Sequence, residues 1–212
     1  MKILAVSDEV APQVYTASAR ERFSDVDLVV SCGDLPGEYL EYIVSVLDVP
    51  LLYVIGNHAN EVTITSSGEA MLPGGCINID GQVAEFGGLV FAGLQGSMRY
   101  REGPYQYTQA EMRYRALALG VRLFHKRALR RRRLDVLVTH APPLGIHDGQ
   151  DVCHTGFDAF LKLMDRFEPR YLLHGHCHVY NRLKPTATQY NRTMVLNVHP
   201  FRIVEVEPVT SE

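Results

Sequence analysis

The chain has 212 residues, 46% of them apolar and 21% charged, with a formal net charge of −3. This is the balance of a soluble globular protein with enough chain for a sizeable core, and it carries no nucleic-acid signature. No stretch is long enough to span a membrane, residues 1–6 are too short an apolar run for a signal peptide, and four scattered cysteines (Cys32, Cys76, Cys153, Cys177) without a C-x-x-C pair point to a reduced, cytoplasmic protein.

In chain order, residues 2–6 form a short apolar run that ends in Ser7-Asp8-Glu9. Residues 27–30 form a second, ending in Ser31-Cys32-Gly33-Asp34. Leu40, Ile43, Val44 and Leu47 then keep the spacing of one buried helix face, with Glu38 in the first turn and Pro50 as the stop. Residues 51–55 are a third strand, ending in Gly56-Asn57-His58. The middle changes character: residues 77–86 read as a hairpin around Asp80-Gly81, and residues 88–94 as another strand. Thr108-Gln109-Ala110-Glu111 has the form of a capping box. It opens a long helix with Met112, Ala116, Leu119 and Leu123 inward, running out in Arg130-Arg131-Arg132-Arg133.

Residues 135–139 are a fourth strand and end in His140. Phe157, Phe160, Leu161, Met164 and Phe167 mark a helix closed by Pro169. A fifth strand at 171–173 leads into His174-Gly175-His176-Cys177-His178, three imidazoles within five residues. Imidazole is the commonest nitrogen ligand for borderline divalent metals. The tail, roughly 179–207, reads as β, with a turn at Asn191 and a last alternating strand at 202–206. There is no internal repeat, low-complexity segment or linker, so one domain over 1–212 is expected.

Five strands therefore end in a metal-competent residue: Asp8, Asp34, Asn57, His140, and the pair His176 and His178. Open α/β sheets build their sites outside the carboxyl ends of the strands. Two carboxylates, one amide and three histidines are too many donors for one tetrahedral ion, and suit two divalent ions that share a carboxylate. The absence of cysteine among them argues against structural zinc.

Gly33-Asp34, Gly56-Asn57-His58, His140 and Gly175-His176-Cys177-His178, in this order, resemble the motifs of the calcineurin-like metallophosphoesterases. The resemblance implies an α/β fold: a four-layer α-β-β-α sandwich of two mixed sheets flanked by helices, with the middle hairpins and the β tail in the second sheet. It implies that Asp34 bridges two metal ions (manganese, iron or zinc). Asn57, His140 and His176 would complete one site, and Asp8 and His178 would serve the other. It implies that His58 binds no metal and gives a proton or hydrogen bond to the leaving oxygen. The function implied is hydrolysis of a phosphodiester or small phosphate ester by a metal-activated water.

The family's first motif is Asp-x-His, and here it is Asp8-Glu9-Val10. Water could fill the gap; Glu9, Tyr15 or Tyr39 could substitute; or only the Asp34-Asn57-His140-His176 site could fill. Ala59 stands where many members carry an acid that supports the histidine. The lost histidine keeps a rival reading open, a weak or inactive scaffold on the same fold, while His58 argues for an enzyme. A nuclease is disfavoured by the acidic balance. Arg99 and His154 are expected to bind substrate, with Tyr100, Tyr105 and Tyr107 as nearby aromatic surface. Cys177 is read as packing, His174 as a supporting residue, the arginine run as a solvated helix end, and His199 is given no role.

Overall fold

The computed structural model describes residues 1–130, 133–179 and 185–207, without the side chains of 127–130. Two mixed sheets dominate it. The first has the spatial order Phe201–Glu205, Lys2–Val6, Leu28–Ser31, Leu51–Tyr53, Cys76–Asn78. Its last four strands run parallel, and Phe201–Glu205 is antiparallel at one edge. The second has the order Ala187–Tyr190, Thr193–Asn197, Tyr171–His174, Val136–Thr139, Leu89–Leu94, Val83–Phe86. Its four central strands are parallel and both edges antiparallel.

Strand alternation explains the layering. Ile3 and Ala5 point into a core shared with the second sheet, together with Val136, Val138 and Leu173. Leu4 and Val6 point to the opposite face and pack on Leu40 and Ile43 of α2 (Gly37–Leu47), beside the short α1 (Ala19–Arg22). Leu137 and Leu172 face the outer core under α3 (Gln109–Arg130) and α4 (Asp158–Phe167). Because both faces are covered, these strands read as continuous apolar runs with hidden period-two order. The result is the expected sandwich: two sheets face to face with helices outside.

The helix boundaries follow local chemistry. Thr108 Oγ1 accepts the Glu111 N–H (3.2 Å) and Glu111 accepts the Thr108 N–H (2.7 Å), which is the expected capping box of α3. Asp48 and Glu168, both left-handed, end α2 and α4 before the prolines at 50 and 169. Met112, Ala116, Leu119 and Leu123 are buried as expected. Of the arginine run, 131 and 132 lie outside the described residues, as does the Arg130 side chain.

Two expectations are corrected. Residues 77–86 are not a hairpin. Cys76–Asn78 pairs with Leu51–Tyr53 in the first sheet, and Val83–Phe86 pairs with Leu89–Leu94 in the second. The Asp80-Gly81 turn carries the chain from one sheet to the other, and the hairpin turns at Gly87-Gly88, both at positive φ. The tail is also divided: Ala187–Tyr190 and Thr193–Asn197 join the second sheet, but Phe201–Glu205 closes the first, with Phe201 opposite Val6. Among the described residues, no helix is long and apolar enough to cross a membrane.

Candidate metal centre

The parallel strands of both sheets deliver their carboxyl ends to one place. Asp8 and Asp34 arrive from the first sheet, His140 and the Gly175–His178 turn from the second. Asp8, Asp34 and His176 all adopt left-handed backbone (φ 65°, 60° and 66°). Non-glycine residues there are strained by about 1–3 kcal/mol, and such strain concentrates at functional turns. The packing leaves no spare volume: a methyl group on Gly56 would overlap the Asp34 carboxylate, and one on Gly175 would overlap Ser7 Oγ and the Asp8 carboxylate.

One cluster is buried. A carboxylate oxygen of Asp34 and one ring nitrogen each of His140 and His176 lie within 4.8 Å of one another. Hydrogen bonds fix which atoms face the centre. His140 Nδ1 donates to the Cys32 carbonyl (2.8 Å), so its Nε2 faces Asn57 Oδ1 (2.9 Å) and Asp34 Oδ2 (3.3 Å). Asn57 Nδ2 donates to the Tyr100 hydroxyl (3.4 Å), which leaves Oδ1 turned inward. His176 Nε2 donates to the Cys153 carbonyl (2.8 Å) and leaves Nδ1 as the available donor atom. Several electron-rich atoms thus converge with nothing but a proton or a cation able to reconcile them. The set is oxygen and imidazole nitrogen, which fits a divalent ion of the manganese, iron or zinc kind.

The electrostatics agree. Burial opposes the charge on Asp34, but His140 and the His58 N–H (2.9 Å to Oδ1) hold its pKa below the usual carboxylate range. Burial likewise opposes protonation of His140, yet Asp34 and Asp8 raise it to about 9. Burial, with the neighbouring His140 charge, lowers His176 to about 4. Asp8 is held at about 2 against burial by His178 and His140. The protonated His140 of the metal-free protein supplies the positive charge that two carboxylates require.

The remaining expected residues fall around this cluster. Asp8 accepts the His176 N–H at both oxygens (3.1 and 3.0 Å) and lies 3.7 Å from His178 Nε2. His58 stands exposed at the rim, next to Asp34 through its backbone. His154 is held by Asp151 (2.9 Å) with its ring 5.1 Å from that of His176, so it borders the centre. Arg99 does not: its guanidinium pairs with Glu111 and donates to the Gln106 carbonyl, because the Ser97–Met98 and Gln106–Tyr107 ribbon turns it toward the start of α3. Its neighbour Tyr100 reaches Asn57 instead. The Cys177 carbonyl accepts from Asn197 Nδ2 (2.7 Å), and its Sγ lies 4.0 Å from the His154 carbonyl.

Glu61, the His147 partner of His174, and the approach of His199 to Glu9 escaped the sequence reading. Glu61 is fully buried behind Asp34, accepts the Leu35 N–H (3.2 Å), and is pushed by burial and the nearby carboxylate to about 7. His174 donates to the Gly175 carbonyl and accepts from His147, which in turn meets the Thr188 hydroxyl, each at 2.9 Å. Burial keeps both rings neutral, His147 at about 4 and His174 at about 3. A carboxylate oxygen of Glu9 and ring nitrogens of His178 and His199 also lie within 4.8 Å of one another.

A family model described as calcineurin-like phosphoesterase matches residues 1–180. No curated protein matches the chain in sequence. Among solved structures, TT1561 of Thermus thermophilus superposes with a TM-score of 0.53 at 13% identity, covering 93% of this chain and 88% of that one. GAP50, the anchor in the inner membrane complex of Plasmodium, superposes at 0.50 and 13% identity, covering 93% and 70%. A hypothetical protein from Thermus thermophilus gives 0.50 at 17% identity, covering 93% and 75%. At these identities the likeness concerns the fold.

Proposed function

The chain belongs to the calcineurin-like phosphoesterase family, whose members hydrolyse phosphoesters with metal ions, and we propose that as one domain it cleaves a phosphodiester or small phosphate ester at a dinuclear centre. The observation that carries this reading is the convergence of Asp34, His140 and His176 within 4.8 Å, with Asn57 Oδ1 2.9 Å from the His140 ring. In this reading Asp34 bridges two ions, Asn57, His140 and His176 hold one, and Asp8 and His178 hold the other. When bound, two such ions neutralise phosphate charge and acidify a water to near-neutral pKa. The chain's own residues do the rest. Cys32 and Cys153 carbonyls fix the ring orientations of His140 and His176. In this reading His58, whose exposed side chain follows the Asp34-bound N–H, gives a proton to the departing oxygen. The oxygen and imidazole donor set suits manganese, and four scattered cysteines without a C-x-x-C pair suit a reducing cytoplasm. A binding protein without turnover is the second reading, supported by Val10.

Assay of the purified chain on bis(4-nitrophenyl) phosphate and 4-nitrophenyl phosphate tests the proposal. Turnover should appear with manganese, vanish on chelation and return on reloading. No turnover of either ester in the loaded protein would favour the binding reading.

The protonation of His140 gives a pH prediction. Its pKa in the metal-free protein is raised to about 9, so at pH 7 an entering ion must expel that proton. Manganese affinity should therefore rise about tenfold per pH unit from 7 and level off above about 9. Calorimetric titration at pH 7 and 8 in buffers of different ionisation enthalpy measures both affinity and proton release. Equal affinities with no proton released would contradict His140 as a ligand.

A further inference from the structure

The proposed second ion, held by Asp8, Asp34 and His178, lacks the histidine that Val10 replaces. The structure narrows what can substitute. Val10 is 38% exposed and has no donor atom. Tyr39 is buried in the core between the first sheet and α2. Tyr15 is half-exposed and packs edge-on against Tyr39 and Tyr42, with ring centroids 5.5 and 4.5 Å away. Glu9 is different. Its Oε1 lies 3.5 Å from His199 Nε2, and Glu9, His178 and His199 form a compact donor group.

His199 is positioned by the fold. The Ser7 N–H donates to the Pro200 carbonyl (3.1 Å), so the 199–200 turn lies beside the Ser7–Asp8–Glu9 turn. Asn197, buried, accepts the His199 N–H (3.0 Å) and donates to the Cys177 carbonyl (2.7 Å), tying His199 to the histidine-rich turn. The His199 ring stacks on that of His178, centroids 4.7 Å apart and planes at 16°. The Val179 N–H approaches Nδ1 (3.4 Å), which leaves Nε2, 3.5 Å from Glu9 Oε1, as the ring nitrogen on the Glu9 side. Ligating carboxylates are commonly held by such outer partners.

We infer that Glu9 replaces the missing first-motif histidine as a ligand of the second ion, with His199 as its positioning residue, so that this site is a three-carboxylate, one-imidazole site for a hard divalent ion such as manganese. The inference rests on the dinuclear reading above. The donor exchange, carboxylate oxygen for imidazole nitrogen, shifts the site toward ions that prefer oxygen.

The test uses the full chain, stripped with chelator and titrated with manganese, read by calorimetry and by electron paramagnetic resonance. The wild type should bind two ions and give a spin-coupled spectrum. Glu9→Ala should keep one ion at wild-type affinity, weaken the second at least tenfold, and leave the six-line signal of isolated manganese. Adding Val10→His to Glu9→Ala should restore the second ion. His199→Ala should weaken the second ion about tenfold, whereas His199→Gln, which keeps an N–H donor, should remain within a few-fold of wild type. A Glu9→Ala protein with two ions at unchanged affinity overturns the inference and leaves the dinuclear reading standing. A wild type that binds a single ion overturns it too. A wild type that binds none removes the metal-centre reading itself. Indistinguishable His199→Ala and wild-type titrations would overturn the role of His199.

Discussion

Asp34→Asn should weaken both manganese ions by about a hundredfold or more and take hydrolysis down with them. Asp34 is 5% exposed, and each of its oxygens is committed: Oδ1 accepts the His58 N–H and Oδ2 faces His140 Nε2. An asparagine loses the charge and must turn an N–H₂ group toward one of those neighbours. Calorimetry and a manganese-dependent assay read the two losses. A third consequence follows in the metal-free protein. The His140 ring owes its raised pKa chiefly to Asp34, acting against full burial. Without that charge, burial has less opposition and the His140 pKa should fall, which imidazole resonances in a pH titration would report. Asp34→Glu should rescue little, because Gly56 packs directly against the carboxylate and leaves no room for a longer side chain. Two ions bound at wild-type affinity in Asp34→Asn would contradict the bridging role.

His58→Asn should act differently. Its backbone N–H, which holds Asp34, is kept, and the side chain is exposed. Surface replacements of this kind change stability by about 0.5 kcal/mol or less. Loss of a general acid slows turnover by about 10²–10⁴-fold, so turnover of bis(4-nitrophenyl) phosphate should fall by that factor with two ions still bound. The residue after it, Ala59, provides no acid, and the buried carboxyl nearby is that of Glu61, engaged with the Leu35 N–H. Unchanged turnover in His58→Asn would remove its proposed role.

Much of this centre was legible because its residues sit at strand ends. Apolar runs that stop at Asp8, Asp34, His140 and His176 are local patterns, and parallel strands bring such ends together whatever their separation in sequence. The capping box at Thr108 and Glu111 was legible for the same local reason. Non-local pairing hid the rest. Asp80-Gly81 has the composition of a hairpin turn, but the strands beside it belong to different sheets. His199 has no local signal at all. It reaches the centre only because Phe201–Glu205 returns antiparallel to Lys2–Val6, a register that no period along the chain reveals. Glu61 resembles an ordinary turn acid until its burial is seen, and Arg99 resembles a phosphate ligand until Glu111 is found opposite it.

The most direct test of the dinuclear claim is anomalous diffraction from a crystal equilibrated with manganese. Two peaks are expected about 3.5–4 Å apart, with Asp34 between them, Asn57, His140 and His176 around one, and Asp8 and His178 beside the other. A single peak, or peaks remote from Asp34, would contradict a dinuclear centre bridged by Asp34.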